Sequence, residues 1–240
     1  MEVRSQGLQP EFQHRQAVKR VFAINGSPRK DYNTAQLLRA FVDGAREAND
    51  DVEIAEVNLY DLRFTGCREC YACKLRNGNS YGRCGFHDDI TDLLDRVAHA
   101  DVVAFGSPIY FSEITAQLRG FLERLWYPFV QFKRGEKQVI APQPVHTAFL
   151  IPMNLTEQAM LSSGYDTLLA PVLQWTQYIF GHEPRVQYCF DTLQYRDYDR
   201  YWANAWNVAA KRLRHERHFP TDLEQARQLG RSLVEASLID

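Results

Sequence analysis

The apolar run Val21-Phe22-Ala23-Ile24, cut off by Asn25-Gly26 and followed at helical spacing by Leu37, Leu38, Phe41 and Val42, constrains the fold of this chain more than any other feature. A short strand with no polar alternation has both faces buried, and the next helix carries an apolar stripe that can cover one of them. The alternation then repeats. Residues 52–59 read as a second strand, and Ile90, Leu93, Leu94 and Val97 share the face of a helix over 89–99. Residues 100–106 make a buried third strand that ends in Gly-Ser-Pro, and Leu118, Phe121, Leu122 and Leu125 mark a helix that stops before Pro128. A fourth strand is predicted over 146–153, a helix over 167–180 and a fifth strand over 185–190. Two helices, 201–214 and 222–238, are predicted to close the chain on either side of Phe219-Pro220. Strands separated by helices favour an α/β fold, a parallel sheet covered on both faces.

With 240 residues and 45% apolar content, the chain is long enough for a full core. One domain is expected over 17–240, behind a polar N-terminal arm at 1–16, and the less regular 129–144 stretch reads as an excursion from it. A formal charge of −2 supplies no broad basic field for nucleic acid. No apolar run is long enough to cross a bilayer and the first residues lack a secretory pattern, so no membrane association and a cytoplasmic location are expected.

Past the first strand comes Gly26-Ser27-Pro28-Arg29-Lys30-Asp31-Tyr32-Asn33-Thr34. Gly26 permits a close turn, Ser27, Asn33 and Thr34 offer donors, and the new helix can aim unused amides at an anion. Arg29 adds a charged fork. The competing reading is an ordinary turn in which Asn33 or Thr34 caps the helix while Arg29 and Lys30 are solvated. The loop carries neither Gly-x-Gly-x-x-Gly nor Gly-x-x-x-x-Gly-Lys-Ser/Thr. A ligand bearing a single phosphate is therefore preferred to a dinucleotide. The third strand ends in Gly106-Ser107-Pro108-Ile109-Tyr110-Phe111, where backbone groups can meet the polar edge of a planar ring and two aromatics offer flat surfaces, unless they are core residues. Two strand-end loops on one sheet edge point to a ligand crevice.

Together with Cys67-x-x-Cys70-x-x-Cys73, Gly82-Arg83-Cys84 before Asp88-Asp89, Ala116-Gln117-Leu118, Met153-Asn154 and Gly164-Tyr165, these loops make the chain resemble the NAD(P)H-dependent FMN reductase family of the flavodoxin-like superfamily, near its iron–sulfur flavoprotein branch. The resemblance covers nearly the whole domain. It implies a three-layer flavodoxin-like fold, with a five-stranded parallel sheet in the order 2-1-3-4-5, a cysteine-rich loop after the second strand and C-terminal helices. It further implies that Ser27, Arg29, Asn33 and Thr34 hold the phosphate of FMN, and that Pro108, Ile109, Tyr110 and Phe111 line its ribityl and ring portions. NAD(P)H would deliver hydride, and a flavin, quinone, nitroaromatic or related small molecule would accept the electrons. A homodimer or homotetramer is implied too, with a neighbouring subunit completing the pocket. No side chain is nominated as catalytic, because the flavin carries the redox chemistry.

Four of the five cysteines lie between Cys67 and Cys84, unlike a stapled disulfide framework. Four sulfurs suit structural zinc or an iron–sulfur cluster. The related iron–sulfur flavoproteins use a compact motif for a cluster that feeds FMN, but here ten residues separate Cys73 from Cys84. The preferred reading is metal-free thiols that pack or shape the loop. One alternative is a 4Fe-4S cluster on Cys67, Cys70, Cys73 and Cys84, reduced by a ferredoxin-like donor; another is a flavin-binding protein without turnover. Asp88 and Asp89 are read as caps of the following helix. His87 and His146 take structural or solvent roles, and His215 and His218 a solvated surface. Tyr195, Tyr198, Tyr201 and Trp202 either cover a neighbouring flavin or pack in a core or interface.

Overall fold

A computed structural model describes residues 18–135 and 137–239, so the arm predicted at 1–16 lies outside the described residues. The strands are β1 (Lys19–Asn25), β2 (Val52–Asn58), β3 (Val102–Gly106), β4 (His146–Pro152) and β5 (Arg185–Cys189). The helices are α1 (Asn33–Ala48), α2 (Thr91–Ala98), α3 (Ala116–Trp126), α4 (Glu157–Ser162), α5 (Tyr165–Phe180) and α6 (Val208–Ser237). All strand pairs are parallel and the order is β2-β1-β3-β4-β5. The fold is thus the three-layer flavodoxin type. Each predicted strand lies within two residues of its expected bounds.

Successive residues of the central strands face opposite sides. Phe22, Ile24, Val103, Phe105, Phe149 and Ile151 pack with the apolar faces of α2, α3 and α5. Val21, Ala23, Val102, Ala104, Ala148 and Leu150 pack with Leu37, Leu38 and Phe41 of α1 and with Leu233 and Val234 of α6. Both sheet faces are therefore dry, which is why the central strands are written without polar alternation.

The C-terminus differs from the expectation of two helices. Residues 201–207 are not helical, and α6 then runs for 30 residues straight through Pro220. Proline removes one intrahelical hydrogen bond, but Phe219, Ala226, Gly230, Leu233 and Val234 on one side of α6 are buried. Tertiary packing overrides the local break. The short α4, started by Thr156 accepting the Ala159 N–H, is an element the sequence pattern did not announce. Among the described residues no helix is long and apolar enough to cross a membrane.

Candidate functional site

In the order β2-β1-β3, the chain leaves β1 toward one sheet edge and leaves β3 toward the other, so a crevice opens beyond the ends of β1 and β3. The residues pairing there are Asn25 and Gly106. The two loops are bonded directly to each other: the Gly26 N–H donates to the Gly106 carbonyl at 2.8 Å, and the Thr115 hydroxyl donates to the Gly26 carbonyl at 2.6 Å. A Cβ on Gly26 would come within 2.8 Å of the Leu118 Cβ, so close approach is what requires glycine here. Asn25 Oδ1 accepts the Ser27 N–H at 2.9 Å, and Ser27 Oγ accepts the Arg29 N–H at 3.1 Å. These bonds shape the loop into a cradle at the end of β1.

This cradle opens at the N-terminus of α1, whose N-cap Tyr32 makes no side-chain cap bond and whose first turn contains no acid. The first amides of a helix have no intrahelical partner, and here neither Asn33 nor Thr34 supplies one as a cap. The ordinary-turn reading fails on that point. Ser27, Arg29, Asn33 and Thr34 line one cleft of about 190 Å³ together with Pro108, Ile109 and Tyr110. Phe111 is not among the lining residues. It stands fully exposed at the tip of a two-residue turn, with φ of 51° at Phe111 and 69° at Ser112, closed by paired bonds between Tyr110 and Glu113.

Two further walls had not been expected. One is Pro152, Met153 and Asn154 at the end of β4; the other is Thr192, Leu193 and Gln194 after β5. Strand position was the available signal for the first wall, since β4 ends on the same sheet edge as β1 and β3. Nothing local marks the second. It contacts the β1 loop through backbone carbonyls: Leu193 O accepts from Asn33 Nδ2 at 2.9 Å and Gln194 O accepts from an Arg29 amino group at 2.6 Å. The Arg29 guanidinium also lies 4.7 Å from the Tyr32 ring centroid. Burial pushes the Tyr32 phenol above its usual range, partly opposed by Arg29. The Tyr32 hydroxyl and Asn154 Oδ1 are both buried without a hydrogen-bond partner, an arrangement costly unless something fills it.

The cysteine-rich loop forms a separate place. Cys67, Cys70, Cys73 and Cys84 all border one small cavity beside Phe86 and Tyr127. Cys67 and Cys70 are exposed, Cys84 half-buried and Cys73 buried. Burial pushes the Cys73 thiol up, with Lys74 pulling the other way. Among the described residues no three His, Cys, Asp or Glu side chains converge to hold a metal ion. The loop is instead organised on Arg124, 2% exposed, which ion-pairs with Asp88 and donates to Cys84 Sγ at 3.3 Å and to the Phe86 carbonyl at 2.8 Å.

Other sequence candidates sit apart from the cleft or serve it indirectly. Asp88 Oδ1 accepts the Ile90 N–H at 3.3 Å, but its second oxygen holds Arg124, and Asp89 accepts the Arg63 N–H at 2.7 Å. These acids tie the loop to the fold; the N-cap position of α2 is Ile90, without a side-chain cap. His146 stacks on His182 with centroids 3.9 Å apart. His215 is half-buried on Phe219 and its pKa is lowered by burial, contrary to the expected solvated surface. Tyr195 stacks on Tyr201 at 4.3 Å, Tyr198 is buried, and Trp202 is exposed.

Residues 19–143 match the family described as NADPH-dependent FMN reductase. An iron–sulfur flavoprotein of Methanocaldococcus jannaschii is 32% identical over 105 residues, 44% of this chain and 51% of that protein. One from Archaeoglobus fulgidus is 30% identical over 123 residues, 51% of this chain and 57% of that protein. The chain thus spans about half the length of the curated relatives it matches. In structure it is similar to an NAD(P)H:quinone oxidoreductase of Methanothermobacter marburgensis, with TM-score 0.63 and 20% identity over 90% of this chain and 98% of the other. An azoreductase of Bacillus anthracis gives TM-score 0.62 and 16% identity over 89% and 99%. At these identities the likeness is one of fold.

Proposed function

The chain belongs to the NADPH-dependent FMN reductase family, and on that premise we propose that the cleft beyond β1 and β3 holds FMN and that the protein is an NAD(P)H-dependent oxidoreductase. The observation that carries this reading is the uncapped, acid-free start of α1, surrounded by Ser27, Arg29, Asn33 and Thr34. A phosphate there would meet free amides, hydroxyls and a guanidinium with four donors beyond the one committed to Gln194. At about 190 Å³ the cleft is smaller than the roughly 300–1,000 Å³ of a pocket that encloses a drug-sized ligand. It would hold the phosphate-bearing tail, with Pro108, Ile109 and Tyr110 available to line the ring.

Bound FMN would supply the hydride chemistry, accepting from the nicotinamide and passing electrons to a flavin, quinone, nitroaromatic or related acceptor. The protein's own task is to grip the tail, orient the ring and leave one ring face open to two successive substrates. A second copy of the chain in a homodimer or homotetramer would cover the exposed rim. The alternative, electron delivery through a cysteine-bound cluster, is favoured by the four cysteines bordering one cavity.

One anaerobic sample tests both. The expected result is a flavin spectrum after reconstitution with FMN, bleached on addition of NADH or NADPH, with no stoichiometric iron. Broad cluster absorption with bound iron and no response to nicotinamide would favour the alternative, and failure to retain FMN would remove both.

A further inference from the structure

We infer that residues 192–196 form a strap over the phosphate end of the cleft, latched by Arg196 on Asp31, and that this latch governs how long the cofactor stays bound; the inference rests on FMN occupying the cleft. After β5 the chain does not turn directly into a helix. It runs from 190 to 207 with only a single 3-10 turn at Tyr198–Arg200 before α6 begins.

The base of this segment is firmly attached. Thr192 donates both its N–H and its hydroxyl to the Met153 carbonyl, at 2.9 and 3.0 Å, and the Asp191 N–H donates to Leu155 O at 2.6 Å. Lys211, buried at the start of α6, ion-pairs with Asp191 and donates to the Asn154 carbonyl at 3.1 Å. One buried ammonium therefore joins the two walls that the β4 and β5 ends contribute. Farther along, the buried Tyr198 hydroxyl accepts the Gln194 N–H at 2.9 Å. The Leu193 and Gln194 carbonyls are thereby aimed at Asn33 and Arg29.

The tip is attached differently. Arg196 meets Asp31 at 2.6 Å with side chains 65% and 61% exposed, and its guanidinium lies 5.6 Å from the Tyr32 ring centroid. Beyond the carbonyl bonds to Arg29 and Asn33, this pair is what fastens the tip to the β1 loop. With Thr192 holding one end and the buried Tyr198 the other, the exposed pair fastens the middle of a strap that can bow away from the β1 loop. Lifting the tip separates Leu193 O and Gln194 O from Asn33 and Arg29, releasing the two side chains that face the phosphate. Closed, it fixes both before FMN binds.

The test compares the wild-type chain, Arg196→Ala, Asp31→Asn and the double variant. FMN-loaded samples are diluted at low and high salt, and release is followed by the rise in flavin fluorescence. Arg196→Ala should release FMN about two- to five-fold faster at low salt, the range of an exposed ion pair. The difference should fade at high salt. The same substitution in the Asp31→Asn background should change release little, since the partner is already gone. Riboflavin, lacking the phosphate, should leave all four proteins at similar rates. Equal FMN release by wild type and Arg196→Ala at low salt would overturn the latch. A second readout needs no cofactor: amide hydrogen exchange over 192–196 in the apoprotein should be faster in Arg196→Ala. If wild type takes up no FMN, the proposed function falls while this exchange measurement still judges the latch; identical exchange rejects it.

Discussion

At the scale of single residues, the cleft depends on groups whose value comes from what surrounds them. Arg29 is exposed at its tip yet anchored twice, by the Gln194 carbonyl and by the Tyr32 ring. Little entropy is then lost when it engages an anion. Arg29→Ala should remove a charge-assisted hydrogen bond worth about 1.5–3 kcal/mol. A titration should therefore show FMN binding roughly ten- to a hundredfold weaker, with riboflavin affinity unchanged. Unchanged FMN affinity would show that the phosphate is held elsewhere. Cysteine reactivity separates in the same residue-by-residue way. Cys189 is fully buried, and desolvation drives its thiol far above the usual range, so it has almost no thiolate at mild pH. Alkylation of the native protein followed by mass spectrometry should label Cys67 and Cys70 and spare Cys189 until the chain is unfolded.

At the scale of elements, the decisive contact is that of α1 with α6. A Cβ at Gly44 would lie 1.8 Å from the Arg227 carbonyl oxygen, and one at Gly230 would lie 2.0 Å from that of Phe41. The two helices cross backbone to backbone at reciprocal glycines. Alanine would gain about 1 kcal/mol in helix propensity at either position, but the atom it strikes is main chain and cannot rotate away. Gly44→Ala and Gly230→Ala should each lower stability by about 1–3 kcal/mol net, measured by urea unfolding; a stabilised variant would contradict this packing. Asp222 of the same helix has a buried Oδ2 without a partner, and desolvation raises its pKa. The folded state thus holds this proton more tightly than the unfolded chain does. Its contribution to stability is complete at low pH and is lost as pH rises through the folded-state pKa. Asp222→Asn should accordingly be more stable than wild type near neutral pH, and the advantage should shrink in thermal scans as the pH is lowered.

At the scale of the whole molecule, the cleft draws its walls from three strand ends and from the segment after a fourth, so cofactor binding should be linked to global stability. With FMN at a hundred times its Kd, wild type should gain about 2.7 kcal/mol, seen as a higher Tm in FMN than in riboflavin. Much of this architecture was legible in the chain itself. Unbroken apolar strands, helical stripes and the Gly26 to Thr34 and Gly106 to Phe111 loops determined a doubly covered parallel sheet with its crevice beyond β1 and β3, because burial periodicity and turn chemistry are local properties. What lay outside local pattern was decided by tertiary structure. Pro220 reads as a helix break, yet packing against α1 carries α6 through it. Asp88 reads as a cap, yet it holds a buried arginine 36 residues away. Leu193 and Gln194 carry no sequence mark because they act through backbone carbonyls, which every residue possesses, and only folding brings those carbonyls to Arg29 and Asn33 across some 160 positions.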